Sequence, residues 1–356
     1  MKIMVTGNLG YIGTVLTAIL RQRGDKVIGI DNDLFSQCTI GNQNPENVLT
    51  LRKDIRDVNI KDFQGVETVC HLAGLPNDPC GDLNPLLMEE INYHASMRLA
   101  EMAKTAGVKR FIFSSSCSCY SHGPHTLLQE NSPCNPITAY DRAKLDTEKD
   151  LMELADENFS PVILRCAEAY GFSPKMRFDL QVNNMTALAY TAETVELKSN
   201  DCSWRPIVHV IDIAHAFCKA SEANKALVHN RIFNVGITED NVQLHDIAKM
   251  ISEIMPEYQL SYTDNAFTDN NNFRVNCDLI QEHLDFKGSW NMLSGIRQLC
   301  NAYEYYDLDY DIYEDIRFRR VDWINNMIEN NLVDSHLRVI PQQNPTQAKE
   351  VEYVKF

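Results

Sequence analysis

The chain has 356 residues, of which 44% are hydrophobic, and a net charge of −16. That length exceeds one average domain and supplies apolar side chains for a full core with an appended lobe. The acidic balance excludes broad binding to a nucleic-acid backbone, which needs a basic face, but leaves room for a small anionic ligand held by a few placed arginines.

The opening MKIMVTG runs straight into a strand predicted at Ile3–Thr6, without a basic segment, apolar stretch and cleavage site. No apolar run approaches the roughly 20 residues that span a bilayer. The chain therefore reads as cytoplasmic, with no membrane partner. Eleven cysteines without CxxC pairs favour reduced thiols over a disulfide framework.

Behind the first strand stands TGNLGYIG, ahead of a helix predicted over Thr14–Arg23. Gly7 allows a tight turn, Gly10 lets a diphosphate approach the backbone, and Gly13 lets the helix pack on the sheet. Tyr11 and Ile12 of the same loop join these expected cofactor contacts, and the helix N-terminus faces an anion. After Gly24, a helix C-cap, a second strand at Val27–Asp31 ends on Asp31, 18 residues beyond Gly13. A carboxylate there accepts hydrogen bonds from a ribose diol and repels a 2′-phosphate, so NAD is favoured over NADP.

Further apolar runs at Val48–Leu51, Thr68–Leu72, Phe111–Ser114 and Pro161–Leu164 alternate with helix-like stretches at Pro85–Ala106 and Ala139–Ala155. The alternation predicts an α/β fold, a doubly wound parallel sheet of Rossmann type over residues 1–170, with its ligand at the carboxyl ends of the strands. Beyond Tyr170 the pieces Thr194–Leu197, Ile207–Val210 and Arg231–Val235 alternate with helical Ile211–Ala223 and Leu244–Met255. Residues 171–340 are expected to form mostly a smaller, partly discontinuous substrate lobe, with segments returning to the sheet. Tyr303–Asp315, where tyrosines and acids interleave, reads as a solvated, half-packed surface element. The polar tail 341–356 reads as flexible.

The strand ending in FIFSSSCSCY is followed, 24 residues after Ser116, by Tyr140 in YDRAK, with Lys144 four positions on. That spacing puts a phenol and an ammonium on one helix face. The ammonium stabilises phenolate, so the tyrosine is expected to be pulled towards neutrality and to move a proton to or from a substrate hydroxyl, with Ser116 donating to the same oxygen.

In this order the motifs resemble the extended short-chain dehydrogenase/reductases, particularly nucleotide-sugar epimerases and dehydratases, over about residues 1–300. The resemblance implies that Asp54 and Ile55 hold the adenine, that Leu72, Ala73 and Gly74 line the cofactor diphosphate and ribose, and that Asn92 steadies the central strands. It implies that LRCAEAYG, Leu164–Gly171, passes the nicotinamide, that Asn183, Asn184 and Arg205 meet the diphosphate of a nucleotide sugar, and that Arg274 is a second phosphate arginine. A guanidinium suits that role because it donates to phosphate in a planar, bidentate way. A homodimer is implied as well.

The departures bear on the reaction. Sugar 4,6-dehydratases of this family place an Asp-Glu pair after the strand-end Ser/Thr, where this chain has Cys117 and Ser118. Cys117 either faces the sugar or is a small buried thiol. Glu168 replaces an asparagine of the galactose epimerases, and is either an acid, base or hydroxyl acceptor near the sugar or the partner of Arg165 or another cation. Cys117, Cys119, His122 and His125 crowd together, but too tightly for the usual zinc spacing, so no metal is expected. The resemblance implies an NAD-dependent nucleotide-sugar epimerase, at C4 first, with NAD kept bound. A dehydratase, a 3,5-type epimerase or an oxidoreductase using Glu168 or Cys117 is the alternative within enzymes, and a non-catalytic NAD-sensing regulator the alternative outside them.

Overall fold

A computed structural model describes residues 1–41, 48–76, 84–120, 127–198, 203–263 and 272–341. His122, His125 and the tail beyond residue 341 lie outside them.

The apolar runs fold as strands because alternate residues can be buried on opposite faces. Ile3 and Val5 of β1 (Lys2–Thr6) face one helical layer and Met4 the other; Ile112 faces the first and Phe111 and Phe113 the second. In chain order the elements of the main sheet are β1, β2 (Lys26–Asp31), β3 (Leu49–Arg52), β4 (Thr68–His71) and β5 (Arg110–Ser116). The short β6 (Leu127–Leu128) precedes β7 (Ser160–Cys166), after which come β8 (Glu168–Tyr170), β9 (Thr194–Lys198), β10 (Trp204–His209) and β11 (Arg231–Val235). Strands β12 (Asn241–Gln243), β13 (Gln259–Thr263) and β14 (Arg274–Val275) complete the set.

Seven strands form one parallel sheet in the order β11-β7-β5-β4-β1-β2-β3. The chain winds outward from β1 in one direction and from β4 in the other, so a crevice opens at the carboxyl ends of these two neighbours. β11 pairs with β7 although the intervening chain leaves the sheet. The helices Tyr11–Gln22 and Val210–Glu222 cover one face, and Ala95–Thr105 and Ala139–Glu153 the other.

The stretch predicted as one helix over Pro85–Ala106 is interrupted: Pro85–Glu89 and Ala95–Thr105 flank a π turn at Glu90–His94. The turn widens the helix where Asn92 reaches sideways to the backbone of Leu75. β8, β10 and β12 form a small second sheet, and β9 pairs with β13, around an apolar cluster that includes Val182, Ile207, Ile247 and Leu299. Tyr303 is 1% exposed in that cluster, and Tyr313 packs edge-on against Phe178. The tyrosine-acid segment is therefore half core, because the end of the Met292–Tyr305 helix and the short Tyr310–Glu314 helix each turn one tyrosine inward, while Tyr305 and Tyr310 are exposed. Among the described residues no helix is long and apolar enough to cross a membrane, and every cysteine is a free thiol.

One buried ion pair ties the layers together. Arg165 of β7 reaches Glu148 on the Ala139–Glu153 helix, with Nη2 2.6 Å from Oε2 and Nε 3.0 Å from Oε1, and Ser115 of β5 donates to the same carboxylate. Arg165 also donates to the Tyr120 hydroxyl at 2.8 Å. Breaking such a pair strands the remaining charge in the core. Glu148→Gln should therefore cost about 3–5 kcal/mol in urea unfolding, and a loss below about 1 kcal/mol would show that the pair contributes little beyond its own desolvation.

Candidate functional site

The glycine loop is shaped by contacts that admit no side chain. Gly7 takes φ +73°, and a Cβ there would lie 2.8 Å from the backbone nitrogen of Ala73. A Cβ on Gly13 would fall 1.9 Å from the carbonyl of Gly7. The Tyr11–Gln22 helix begins at Gly10 with no capping side chain, so its positive end is left to the crevice. Asp31 stands across the loop, accepting from Leu9 N at 3.0 Å and Asp33 N at 2.8 Å, and burial pushes its carboxyl up. Each oxygen keeps lone-pair capacity for a ribose hydroxyl.

Gly7, Gly10, Tyr11, Ile12, Gly13, Asp31, Asp54, Ile55, Leu72, Ala73, Gly74, Tyr140 and Lys144 all line this cleft. Asn92 does not. Its Oδ1 accepts from Leu75 N at 2.7 Å and its Nδ2 donates to Leu75 O at 2.9 Å, so it fixes the loop after β4 from behind. Tyr11 doubles as a brace, since its hydroxyl donates to Gly171 O at 2.6 Å and accepts from Asn183 Nδ2. Asp54 is held by Arg56 through a 2.7 Å ion pair. His71 is bracketed by Thr6 and Ser96 and burial lowers it to about 3, so it is a neutral structural link.

A second cleft, lined by Ser116, Cys117, Ser118, Glu168, Arg205 and Phe273 among others, adjoins the first. The two share Ile12, Pro76, Ser114, Tyr140, Ala169, Arg177 and Leu180, so Tyr140 stands at their junction. The geometry comes from a capping box at Thr138 and Asp141 that starts the helix one turn before Lys144. Lys144 Nζ donates to Ser114 O at 2.7 Å and lies 5.4 Å from the Tyr140 ring centroid, while the Ser116 hydroxyl hydrogen-bonds the phenol. Ser118 Oγ lies 2.9 Å from Ser116 Oγ and 2.6 Å from Asp141 Oδ1.

The phenol is not acidified as the helix spacing predicts. Burial pushes Tyr140 up, Asp141 adds to the rise, and the pull from Arg177 and the Ser116 hydrogen bond is smaller. Sequence spacing shows the neighbouring ammonium but not the loss of water, and here desolvation wins. The same burial lowers Lys144 to about 8.

The substrate-side predictions divide. Glu168 does not pair with Arg165, whose partner is Glu148. It accepts from Gln181 N at 2.8 Å; burial raises its carboxyl, and Arg205 then Arg177 pull it back down. Arg205 lines the second cleft together with Glu168. Cys117 lines that cleft too but is 1% exposed, donates to Arg165 O at 3.1 Å, and burial pushes its thiol well up. Asn183 is buried, accepting from Gly171 N at 2.9 Å; Asn184 donates to the Tyr313 hydroxyl at 2.9 Å and lines neither cleft. Arg274 lies over the Trp204 ring at 4.9 Å and likewise lines neither. Among the described residues no group of His, Cys, Asp and Glu has the make-up of a metal site; Cys119 instead faces Cys134, with sulfurs 3.7 Å apart.

Sequence reasoning missed Lys175, Arg177 and Arg320, three cations on the wall of the first cleft. The SPKMRF run that follows the second cleft's strand carries two of them two residues apart, a legible signal. Nothing near Arg320 in the sequence marks it.

Residues 3–236 match the NAD dependent epimerase/dehydratase family. The UDP-glucose 4-epimerase of Corynebacterium glutamicum is 27% identical over 272 residues, covering 71% of this chain and 80% of that protein. That of Bacillus subtilis is 28% identical over 247 residues, covering 62% and 73%. Among solved structures, the UDP-glucose 4-epimerase of Thermotoga maritima with UDP-glucose has a TM-score of 0.75 at 24% identity, over 86% of this chain and 100% of that one. An NAD dependent NDP-hexosamine 5,6-dehydratase involved in tunicamycin biosynthesis reaches 0.76 at 19% identity, over 87% and 99%. These two likenesses show a shared fold. With a cradle that fits a dinucleotide and a match spanning well over half its length, the chain belongs to the NAD dependent epimerase/dehydratase family and takes NAD as its cofactor.

Proposed function

We propose that the protein is a nucleotide-sugar epimerase that inverts a carbinol carbon, C4 in the first instance. The observation that carries this is Tyr140 at the junction of the cofactor groove and the second cleft, with Ser116 and Lys144 beside it. The UDP-glucose 4-epimerases among its relatives support the substrate class. A homodimer, which rests on the family resemblance, and a cytoplasmic setting belong to the same reading.

When bound, NAD supplies the hydride acceptance and return that inversion needs. The chain's own residues handle the proton. Raised by burial, Tyr140 rests as a phenol and is ready to protonate an alkoxide. To take a proton it relies on the groups that favour phenolate, which are the Ser116 hydroxyl, the Lys144 ammonium and Arg177. Arg205 and Arg177 give a strongly acidic chain local positive charge at the second cleft, suited to a diphosphate. Glu168, held by Gln181 N, offers its second oxygen to sugar hydroxyls. No further acid or base is needed for inversion at C4.

One observation favours a second reading, water loss. Burial raises Glu168, which brings a protonated carboxyl closer to neutral pH beside the catalytic tyrosine. Cys117 does not serve it, because its thiol is buried and held against the backbone.

Incubation with NAD and a panel of UDP-hexoses in D₂O, followed by NMR, separates these readings. Inversion without deuterium uptake is expected; deuterium at C3 or C5 would point to enolisation, a lost water to dehydration, and no product despite firm NAD binding to the sensor. Tyr140→Phe should lower kcat by about 10²–10⁴-fold while NAD binding stays nearly intact; unchanged turnover would remove the tyrosine from the chemistry. Lys144, lowered by burial to about 8, is an ammonium below that pH and neutral above it. The rate should therefore fall as pH rises past about 8, and a profile flat to pH about 10 would show that its charge is not used.

A further inference from the structure

Two cysteines that the proposed chemistry does not use face each other just past the second cleft's wall of Ser116, Cys117 and Ser118. Cys119 stands in the turn Cys117–Tyr120, and Cys134 in the segment that leads to Thr138, the cap of the Tyr140 helix. Their sulfurs are 3.7 Å apart. The backbones meet at the same place, since Asn135 N donates to Cys119 O at 3.0 Å. Both sides are anchored. Cys117 Sγ and the Tyr120 hydroxyl hold the turn through Arg165 O and Asn234 Oδ1, and Glu130 holds the other segment by accepting from Asn234 N at 2.8 Å.

The two thiols differ in access. Cys119 is fully buried, whereas Cys134 is half-buried. Among the described cysteines only Cys300 shares that partial exposure, and its sulfur lies 3.8 Å from Met255 Sδ rather than against a second thiol. The hydrogen bond from Cys119 holds the Cys134 thiol below its ordinary range, with Arg165 helping against the opposing effect of burial. Cys119 is raised by the same bond and by burial. A reachable thiol with thiolate character beside a buried second one is the arrangement in which one sulfur is attacked first and the other resolves the adduct. Zinc does not fit the pair, because two thiols supply half of a tetrahedral set and, among the described residues, no third ligand joins them.

We propose that Cys119 and Cys134 form a thiol–disulfide exchange site, at which a small-molecule disulfide oxidises the pair to an intramolecular bridge. The Cys134 thiolate attacks one sulfur of that disulfide, expelling one small thiolate and leaving a mixed disulfide. The Cys119 sulfur then attacks the Cys134 sulfur and expels the second small thiolate. The two protein thiol protons end on the two leaving sulfurs, so the pair is oxidised by two electrons and the small disulfide is reduced to two thiols. The bridge ties the turn after Ser116 to the segment entering the Tyr140 helix, and excess small thiol reverses it. The site is independent of which sugar is turned over or whether water is lost.

The test incubates the folded wild-type chain, with NAD bound, in oxidised glutathione, quenches with acid and maps the cysteines by peptide mass spectrometry. A link between Cys119 and Cys134 that dithiothreitol removes is expected. Cys119→Ser should stop at a glutathione adduct on Cys134, and Cys134→Ser should slow oxidation of Cys119 by about tenfold or more. No such link in the wild type, a Cys134 adduct that the wild type never resolves, or undiminished oxidation of Cys119 in Cys134→Ser overturns the proposal. Where a variant does not fold, the wild-type map decides alone.

Discussion

The contact between Arg165 and Glu148 holds the elements that carry Ser116, Tyr140 and Lys144 in place. It joins β7 to the helix that bears Tyr140 and Lys144, and through Ser115 it also grips β5, the strand that ends in Ser116. Three successive long elements, Arg110–Ser116, Ala139–Glu153 and Ser160–Cys166, are thereby locked together, so that a serine from a strand tip and a phenol from a helix meet at one point. Lys144, bonded to Ser114 O, repeats the link one turn earlier on the same helix. Two buried cations on neighbouring elements thus act as rivets between the Ala139–Glu153 helix and the sheet.

That arrangement trades acidity for order. Drawing Tyr140 and Lys144 out of water fixes their geometry, yet it makes the phenol a weaker acid and the ammonium easier to discharge. The cleft balances this with cations on its opposite walls, Arg177 at the junction and Arg205 farther into the second cleft. A strongly acidic chain thus lines its two clefts with several cations, Lys175, Arg177 and Arg205 among them, which give local positive potential against the overall charge.

The strands of the sheet were legible because alternation and length suffice to predict them, and their observed bounds differ by a residue or two. The glycine loop, Asp31 and the Tyr140–Lys144 pair were legible because each depends on short-range spacing. What sequence could not show was set by long-range packing. Arg165 stands three residues from Glu168 in the chain, but the two lie on different strands, β7 of the main sheet and β8 of the second, and so meet different partners, Glu148 and Gln181 N. Asn184 is one residue from Asn183, yet on its helix it turns to Tyr313 rather than to Gly171. The sign of the tyrosine shift depended on desolvation, which no local motif reports. Arg320 reaches the cleft only because its helix folds back over the first half of the chain.

The position of β11 has a consequence for how the molecule is assembled. Its pairing with β7 closes the sheet only after residue 231 has been made, and the core beneath β2 is finished later still by Ile324 and Met327. A chain released at residue 170 would present the bare flank of a long, apolar, fully buried strand, the kind of edge that recruits other chains. Dissecting the molecule into a cofactor half and a substrate half would thus yield an aggregating fragment rather than two working parts, and its biosynthesis must pass through a stage in which that flank awaits a partner nearly seventy residues downstream.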